Sequence, residues 1–231
     1  MESGNCILPT KAEGPWELVV CLPGLSGAPY VRLVLSPELL LHAYRNGLFP
    51  MANEDGEIAW FSPDPRAIIP LDGFHVPHGL RRALKKRRFH VRVNTAFHQV
   101  IRGCACREET WINEDIINSY CNLHSMGYAH SVEAWYDERL AGGLYGVAIG
   151  GAFFGESMFT QMPDASKVAL CELVTRLRDR DFALLDIQWR TSHLEKFGAI
   201  EVSRETYRGI LTGCIHWDRS FAPRRSVISE T

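Results

Sequence analysis

Residues 140–188 read LAGGLYGVAIGGAFFGESMFTQMPDASKVALCELVTRLRDRDFALLDIQ, and they constrain the fold more than any other stretch. Two apolar runs, 140–149 and 152–159, are joined by Gly150-Gly151, which predicts a hairpin. After Pro163-Asp164 the spacing predicts an amphipathic helix over 166–180, and 183–188 returns as a strand. With a preceding strand over 131–135, this gives three antiparallel strands, a helix and a further strand. That is the layout of an α+β acyltransferase core. The few polar residues stand where a core strand would not place them. Glu156 and Ser157 interrupt an apolar run, and an unpaired buried carboxylate is costly. Asp186 and Gln188 lie two apart on a strand, so both side chains leave by one face.

Charge is unevenly spread along the 231 residues. From Gly73 to Arg107 there is no Asp or Glu, although the chain holds 27 of them, while Lys and Arg recur throughout. Such segregation is the footprint of a polyanion partner, the alternative being a solvated helix face. The seven cysteines are odd in number and irregularly spaced, which predicts free thiols rather than a disulfide framework. Cys104-Ala-Cys106 lacks a second pair at zinc-site spacing, so no metal is expected. No window approaches the roughly 18 uninterrupted apolar residues of a membrane span. The first residues lack the pattern of a signal peptide. A cytoplasmic location with no membrane partner and no cofactor is the expectation.

Local signals organise the rest. A strand is expected over 17–22. Ser36-Pro37-Glu38 predicts a capped helix over 37–45 that stops at Gly47. A polar turn follows at 53–56. The prolines of Trp60-Phe61-Ser62-Pro63-Asp64-Pro65-Arg66 then predict a rigid extended segment, either stacking on a base or packing as a hinge. A boundary near this point divides a small N-terminal domain (1–64) from the main domain (65–231). A basic helix is expected over 78–88 and a half-buried strand over 89–93. Further helices are capped by Thr95, by Asn113, by Thr191 or Ser192, and by Ser203. The tail from Arg219 onward is expected to be mobile.

If the hairpin packs on the long helix, Leu144, Phe153, Met158, Leu170, Leu177 and Leu185 could line one cavity or simply form core. Glu156, Asp186 and Gln188 would put two carboxylates and an amide around one spot. Such a floor suits a cationic guest and repels the phosphates of coenzyme A. A coenzyme A-dependent N-acyltransferase stays open as a reading. However, the turn TQMPDAS is not the glycine-rich basic loop a pyrophosphate wants. A non-catalytic RNA-binding module also stays open, but it leaves Glu156, Asp186 and Gln188 idle.

The segments WFSPDPRA, TWI, LHSMGYAHSVE, LAGGLYGVAIGGAFFGESMF, DASKVAL and the DIQ strand end together resemble the leucyl/phenylalanyl-tRNA–protein transferases, over about 36–211. The resemblance implies a small N-terminal domain and a C-terminal domain with an N-acetyltransferase-like (GNAT-like) fold, a mostly antiparallel sheet flanked by helices. It implies transfer of Leu or Phe, sometimes Met, from aminoacyl-tRNA to the α-amine of proteins beginning with Arg or Lys, which marks them for N-degron proteolysis. It assigns catalysis to Asp186 and Gln188, with Glu156 joining them in acceptor binding. It assigns the aminoacyl pocket to the six apolar residues above together with Ser157. It assigns adenosine stacking to Trp111, and the tRNA surface to the basic helix bearing Arg81, Arg82, Lys85, Lys86, Arg87 and Arg88. Met51 departs from the pattern, standing where the family usually has a stacking Trp, with Trp60 and Phe61 as possible substitutes.

Overall fold

The computed structural model describes residues 35–222, so the strand expected over 17–22 lies outside them. The described chain opens on α1 (Pro37–Arg45), where the Ser36 hydroxyl accepts from the Leu39 amide at 3.2 Å. Gly47, at φ +76°, turns the chain out of the helix, as its missing Cβ allows. Next come β1 (Phe49–Ala52) and β2 (Ile58–Phe61), which pair with each other as a separate two-stranded sheet. The extended, proline-bounded segment predicted at Trp60-Phe61 is therefore half of a hairpin.

The remaining elements are β3 (Arg66–Ile68), α2 (His78–Lys85), β4 (His90–Val93), α3 (Phe97–Ala105), α4 (Glu114–Ser125), β5 (Ala129–Tyr136), β6 (Arg139–Ile149), β7 (Ala152–Thr160), α5 (Ala165–Asp179), β8 (Leu184–Gln188), α6 (Ser192–Glu195), β9 (Ile200–Val202) and α7 (Arg204–Cys214). Seven strands form the main sheet in the order β4-β5-β6-β7-β8-β3-β9. Every neighbouring pair is antiparallel except β7 and β8, which α5 joins as a crossover. The expected α+β core is present as β5-β6-β7-α5-β8. Strand β3, three residues long, inserts between β8 and β9, too short for any periodicity to announce it.

Alternation sends side chains to two separate cores. Tyr145, Val147, Phe154 and Leu184 face α1, α3, α4 and α7 on one side, while Leu144, Phe153 and Leu185 pack against α5 on the other. The register of β6 and β7 slips between the pairs Tyr145↔Ser157 and Gly146↔Gly155, leaving Glu156 as the extra residue of a bulge. The bulge turns the carboxylate onto the face away from α5.

Three local expectations are corrected. Thr95 does not cap α3. Its amide and that of Ala96 both donate to the buried Glu133 carboxylate of β5 at 2.9 Å, so a long-range acid ties down the chain entering α3, whose first turn has no side-chain cap. Helix α2 stops at Lys85 rather than running to 88, with Arg87 in the left-handed region at φ +46°. Of the tail expected to be mobile, Arg219 to Ala222 are anchored, and residues 223–231 lie outside the described ones. Phe221 is buried against Phe153, with ring centroids 5.0 Å apart, and against His130 at 4.6 Å.

Candidate active site

The parallel pairing of β7 and β8 ends at Phe154↔Asp186. Beyond it the bulge at Glu156 and the left-handed backbone of Gln188, φ +64°, carry the two strands apart. Gly155 lies at the fork, where a Cβ would stand 3.3 Å from the Asp186 carbonyl oxygen. The expectation that Asp186 and Gln188 share a face holds, and Glu156 joins them there through a 3.0 Å hydrogen bond from Gln188 Nε2 to Glu156 Oε1.

Asp186 differs from the sequence expectation in kind. It is fully buried, and its carboxylate accepts from Arg66 Nε at 2.9 Å and Arg66 Nη2 at 2.6 Å in a bidentate pair. Tyr207 Oη donates to it at 2.8 Å and the Gln188 amide at 2.9 Å. The guanidinium is itself held between the rings of Phe49 and Tyr207, 4.8 and 4.7 Å from their centroids, and donates to the Gly47 carbonyl at 3.1 Å. An anionic floor with Asp186 open to a cationic guest is therefore not what the chain builds. The Asp186 charge is spent on Arg66, and what Asp186 controls directly is the backbone of Gln188.

Glu156 has no cationic partner of this kind among the described residues. Tyr44 Oη donates to its Oε1 at 2.8 Å, while Tyr120 Oη lies 3.3 Å from its Oε2 and against the Tyr44 hydroxyl, so two phenol protons are shared among three contacts. Burial raises its pKa from 4.5 to about 7; Tyr44 opposes the rise, the Asp186 charge adds to it, and the bonds from Gln188 and Tyr120 oppose it. Burial, and next the Glu156 charge, likewise push both phenols well above the usual tyrosine range. In Gln188, Nε2 is committed to Glu156, so its carbonyl oxygen is the acceptor left for a guest.

The Glu156 shift has a sign that can be tested. A carboxyl whose folded pKa lies above its unfolded one favours the folded state while protonated, and that advantage is lost as pH rises from 4.5 to 7. At ~1.4 kcal/mol per pKa unit this is roughly 3 kcal/mol. Urea unfolding from pH 5 to pH 8 should show wild type losing about that much relative to Glu156→Gln. Parallel pH profiles for the two proteins would contradict it.

Residues 68–212 match the family model described as leucyl/phenylalanyl-tRNA protein transferase, and residues 34–64 match that of its N-terminal domain. The chain belongs to this family of aminoacyltransferases. A leucyl/phenylalanyl-tRNA–protein transferase of Rubrobacter xylanophilus is 53% identical over 189 residues, 81% of this chain and 99% of the relative. One from Akkermansia muciniphila is 57% identical over 182 residues, 77% and 94% of the two chains.

Other residues expected in a transferase site fall into four places. Leu144, Phe153, Leu170, Leu177 and Leu185 are at most 3% exposed and close-packed in the core between the sheet and α5, so they line no open cavity together. Met158 and Ser157 are partly exposed at the margin of β7, where Arg107 Nη2 donates to the Met158 carbonyl at 3.3 Å and to the Ser157 hydroxyl. Trp111 and Met51 are half-buried in one apolar cluster with Trp60 and Phe61, and the Ala52 amide donates to the Trp111 carbonyl at 3.2 Å. Arg81, Arg82, Lys85, Lys86, Arg87 and Arg88 are all exposed, on α2 and the turn that follows it.

Four site residues escape sequence reasoning: Arg66, Tyr207, Tyr44 and Tyr120. Arg66 gives a faint signal, a charge at the head of the apolar run Ala67-Ile68-Ile69. The tyrosines give none, because in sequence they read as apolar members of helix faces. Among the described residues no group of three or more His, Cys, Asp or Glu could hold a metal ion, and no helix is long and apolar enough to cross a membrane.

Proposed function

We propose that this chain transfers Leu or Phe, and sometimes Met, from aminoacyl-tRNA to the α-amine of proteins beginning with Arg or Lys, in the cytoplasm, marking them for N-degron proteolysis. The observation that carries this is the fork between β7 and β8. There the side-chain carbonyl of Gln188, without a partner among the described residues, stands beside a carboxyl of near-neutral pKa, that of Glu156. The reaction is aminolysis of an ester: a C–N bond forms, the bond from carbonyl carbon to ribose oxygen breaks, and the amine's proton ends on the ribose hydroxyl or solvent. The ester is already activated, so holding amine and carbonyl in line supplies most of what is needed, up to roughly 7–11 kcal/mol. Gln188 Oε1 accepts from the neutral α-amine and aims its lone pair. Asp186, neutralised by Arg66, fixes Gln188 without raising the amine's pKa, as a free carboxylate would.

Glu156 then selects the acceptor. A carboxyl with a pKa of about 7 is half-ionised near neutrality, and an approaching Lys or Arg side chain draws it into the ionised form. The aminoacyl side chain enters at the margin marked by Met158, Ser157 and Ile187. Trp111 and Met51 face the terminal adenosine, and the exposed cations of α2 carry the acceptor arm.

Incubation with labelled leucyl-tRNA and an Arg-starting peptide, and in parallel with labelled acetyl-coenzyme A, tests the reading. Label should move from tRNA alone; acetyl transfer, or none, would overturn it. Replacing Lys85, Lys86, Arg87 and Arg88 by Gln should lower the slope of log K against log salt for tRNA binding by about 1–3. An unchanged slope would place the RNA elsewhere.

A further inference from the structure

The parallel strands β7 and β8 run in the same direction, so the segments leaving them emerge at the same end of the sheet. After β7 the chain passes Asp164 into α5, which carries Lys167. After β8 it passes into α6 and the turn that carry His193 and Lys196. Between these segments and the start of α2 lies a cavity of about 290 Å³ with Leu80 and Phe197 in its wall and Lys167, Lys196, His193 and Asp164 around it. Ligand sites in sheets with parallel strands favour the carboxyl ends of those strands, and this is also the end at which Glu156 and Gln188 separate.

The charge of this cavity comes from residues distant in sequence. The acid in its wall, Asp164, already holds Lys167 Nζ at 2.8 Å, in a pair about one-third exposed on both sides. Such an exposed pair contributes little, so Lys167 can exchange Asp164 for a better anion. Lys196 is exposed and has no ion pair among the described residues. Burial, and after it Lys167 and Lys196, hold the His193 imidazole below its usual pKa, which leaves it a neutral N–H donor near neutral pH. On the α2 side, Arg81 folds back to donate from Nε to the Val76 carbonyl at 3.3 Å, bringing a guanidinium to the segment that leads into the cavity. The helix that bears the exposed cations thus also supplies Gly79 and Leu80 to the cavity wall, and none of the roles assigned above uses the cavity.

We infer that this cavity seats a backbone phosphate of the RNA donor, with Lys196 and Lys167 as its cations and His193 as a hydrogen-bond donor. The assignment rests on the proposed use of aminoacyl-tRNA, and it extends the RNA track from α2 to the sheet end where the ester must react. Its lining suits a phosphodiester rather than a base, because a nucleobase would want an exposed aromatic face to stack on and Phe197 is buried.

Three measurements test it. Lys196→Gln, a surface change that leaves the fold alone, should weaken aminoacyl-tRNA binding ~3–10-fold at 0.1 M salt and lower the salt slope by about 1. Lys167→Gln/Lys196→Gln should lower the slope by about 2, with the loss of transfer appearing as a raised KM. Inorganic pyrophosphate, followed by the NMR signals of the His193 ring, should shift those signals in wild type and not in the double variant. Unchanged salt slopes in both variants, or a His193 ring indifferent to pyrophosphate, would overturn the assignment. A wild-type protein that moves no leucyl group from tRNA would instead overturn the functional reading, and the pyrophosphate titration would still report on the cavity.

Discussion

Replacing Arg66 by Met is expected to cost about 3–5 kcal/mol of folding stability, among the largest effects any single substitution can have in this chain. The cause is not the loss of the pair's attraction. It is the Asp186 carboxylate, left fully buried with only Tyr207 and the Gln188 amide to hold its charge. For a domain of this size the melting temperature should fall by roughly 6–20 °C. Replacing both partners, Arg66→Met with Asp186→Leu, should recover more than half of that, because a buried ion pair roughly breaks even against apolar side chains of similar volume. Recovery stops short of complete because the Tyr207 hydroxyl and the Gln188 amide lose their acceptor. Urea unfolding of wild type, the two single variants and the double variant closes the cycle. If the Arg66→Met loss persists unchanged in the Asp186→Leu background, the pair is not coupled as described. The double variant, once folded, should still fail to transfer, since Asp186 also holds Gln188 in its left-handed conformation.

The second large effect is on rate. Gln188→Ala removes the site acceptor left free for a guest, and should lower kcat about 10²–10³-fold while aminoacyl-tRNA binding stays within about twofold of wild type. Single-turnover transfer from leucyl-tRNA to an Arg-starting peptide, beside filter binding of the same tRNA, separates the two quantities. Gln188→Glu should be no better. It would place a second carboxylate within hydrogen-bond distance of Glu156, where one of the two must stay protonated. Transfer by Gln188→Ala at a rate close to wild type would remove Gln188 from the chemistry.

A physical boundary separates what neighbouring residues announce along the chain from what they leave silent. Helix α1 with its Ser36 cap, α4 with its Asn113 cap and α7 with its Ser203 cap are legible residue by residue. A cap is a contact between residues three apart, so the signal is local. Thr95 misleads for the complementary reason. The group that holds the chain entering α3 is Glu133, 38 positions from Thr95, and nothing near Thr95 announces it. The core β5-β6-β7-α5-β8 is legible because each element is long enough to show its period. Strands β3 and β9, three residues each, are not.

The same boundary runs through the site. By itself the sequence determined that Glu156, Asp186 and Gln188 are anomalous in apolar strands, that the last two share a face, and that positive charge gathers between Gly73 and Arg107. Those are statements about neighbours along the chain. Only the tertiary structure decided that Arg66, 120 positions from Asp186, cancels its charge. It also decided that Tyr44 and Tyr120 hold Glu156, and that the leucines and phenylalanine expected to line a cavity pack as core on the opposite face of the sheet. The reason is that the charge state of a buried carboxylate is set by what surrounds it in space. No periodicity records which distant side chain will supply the counter-charge.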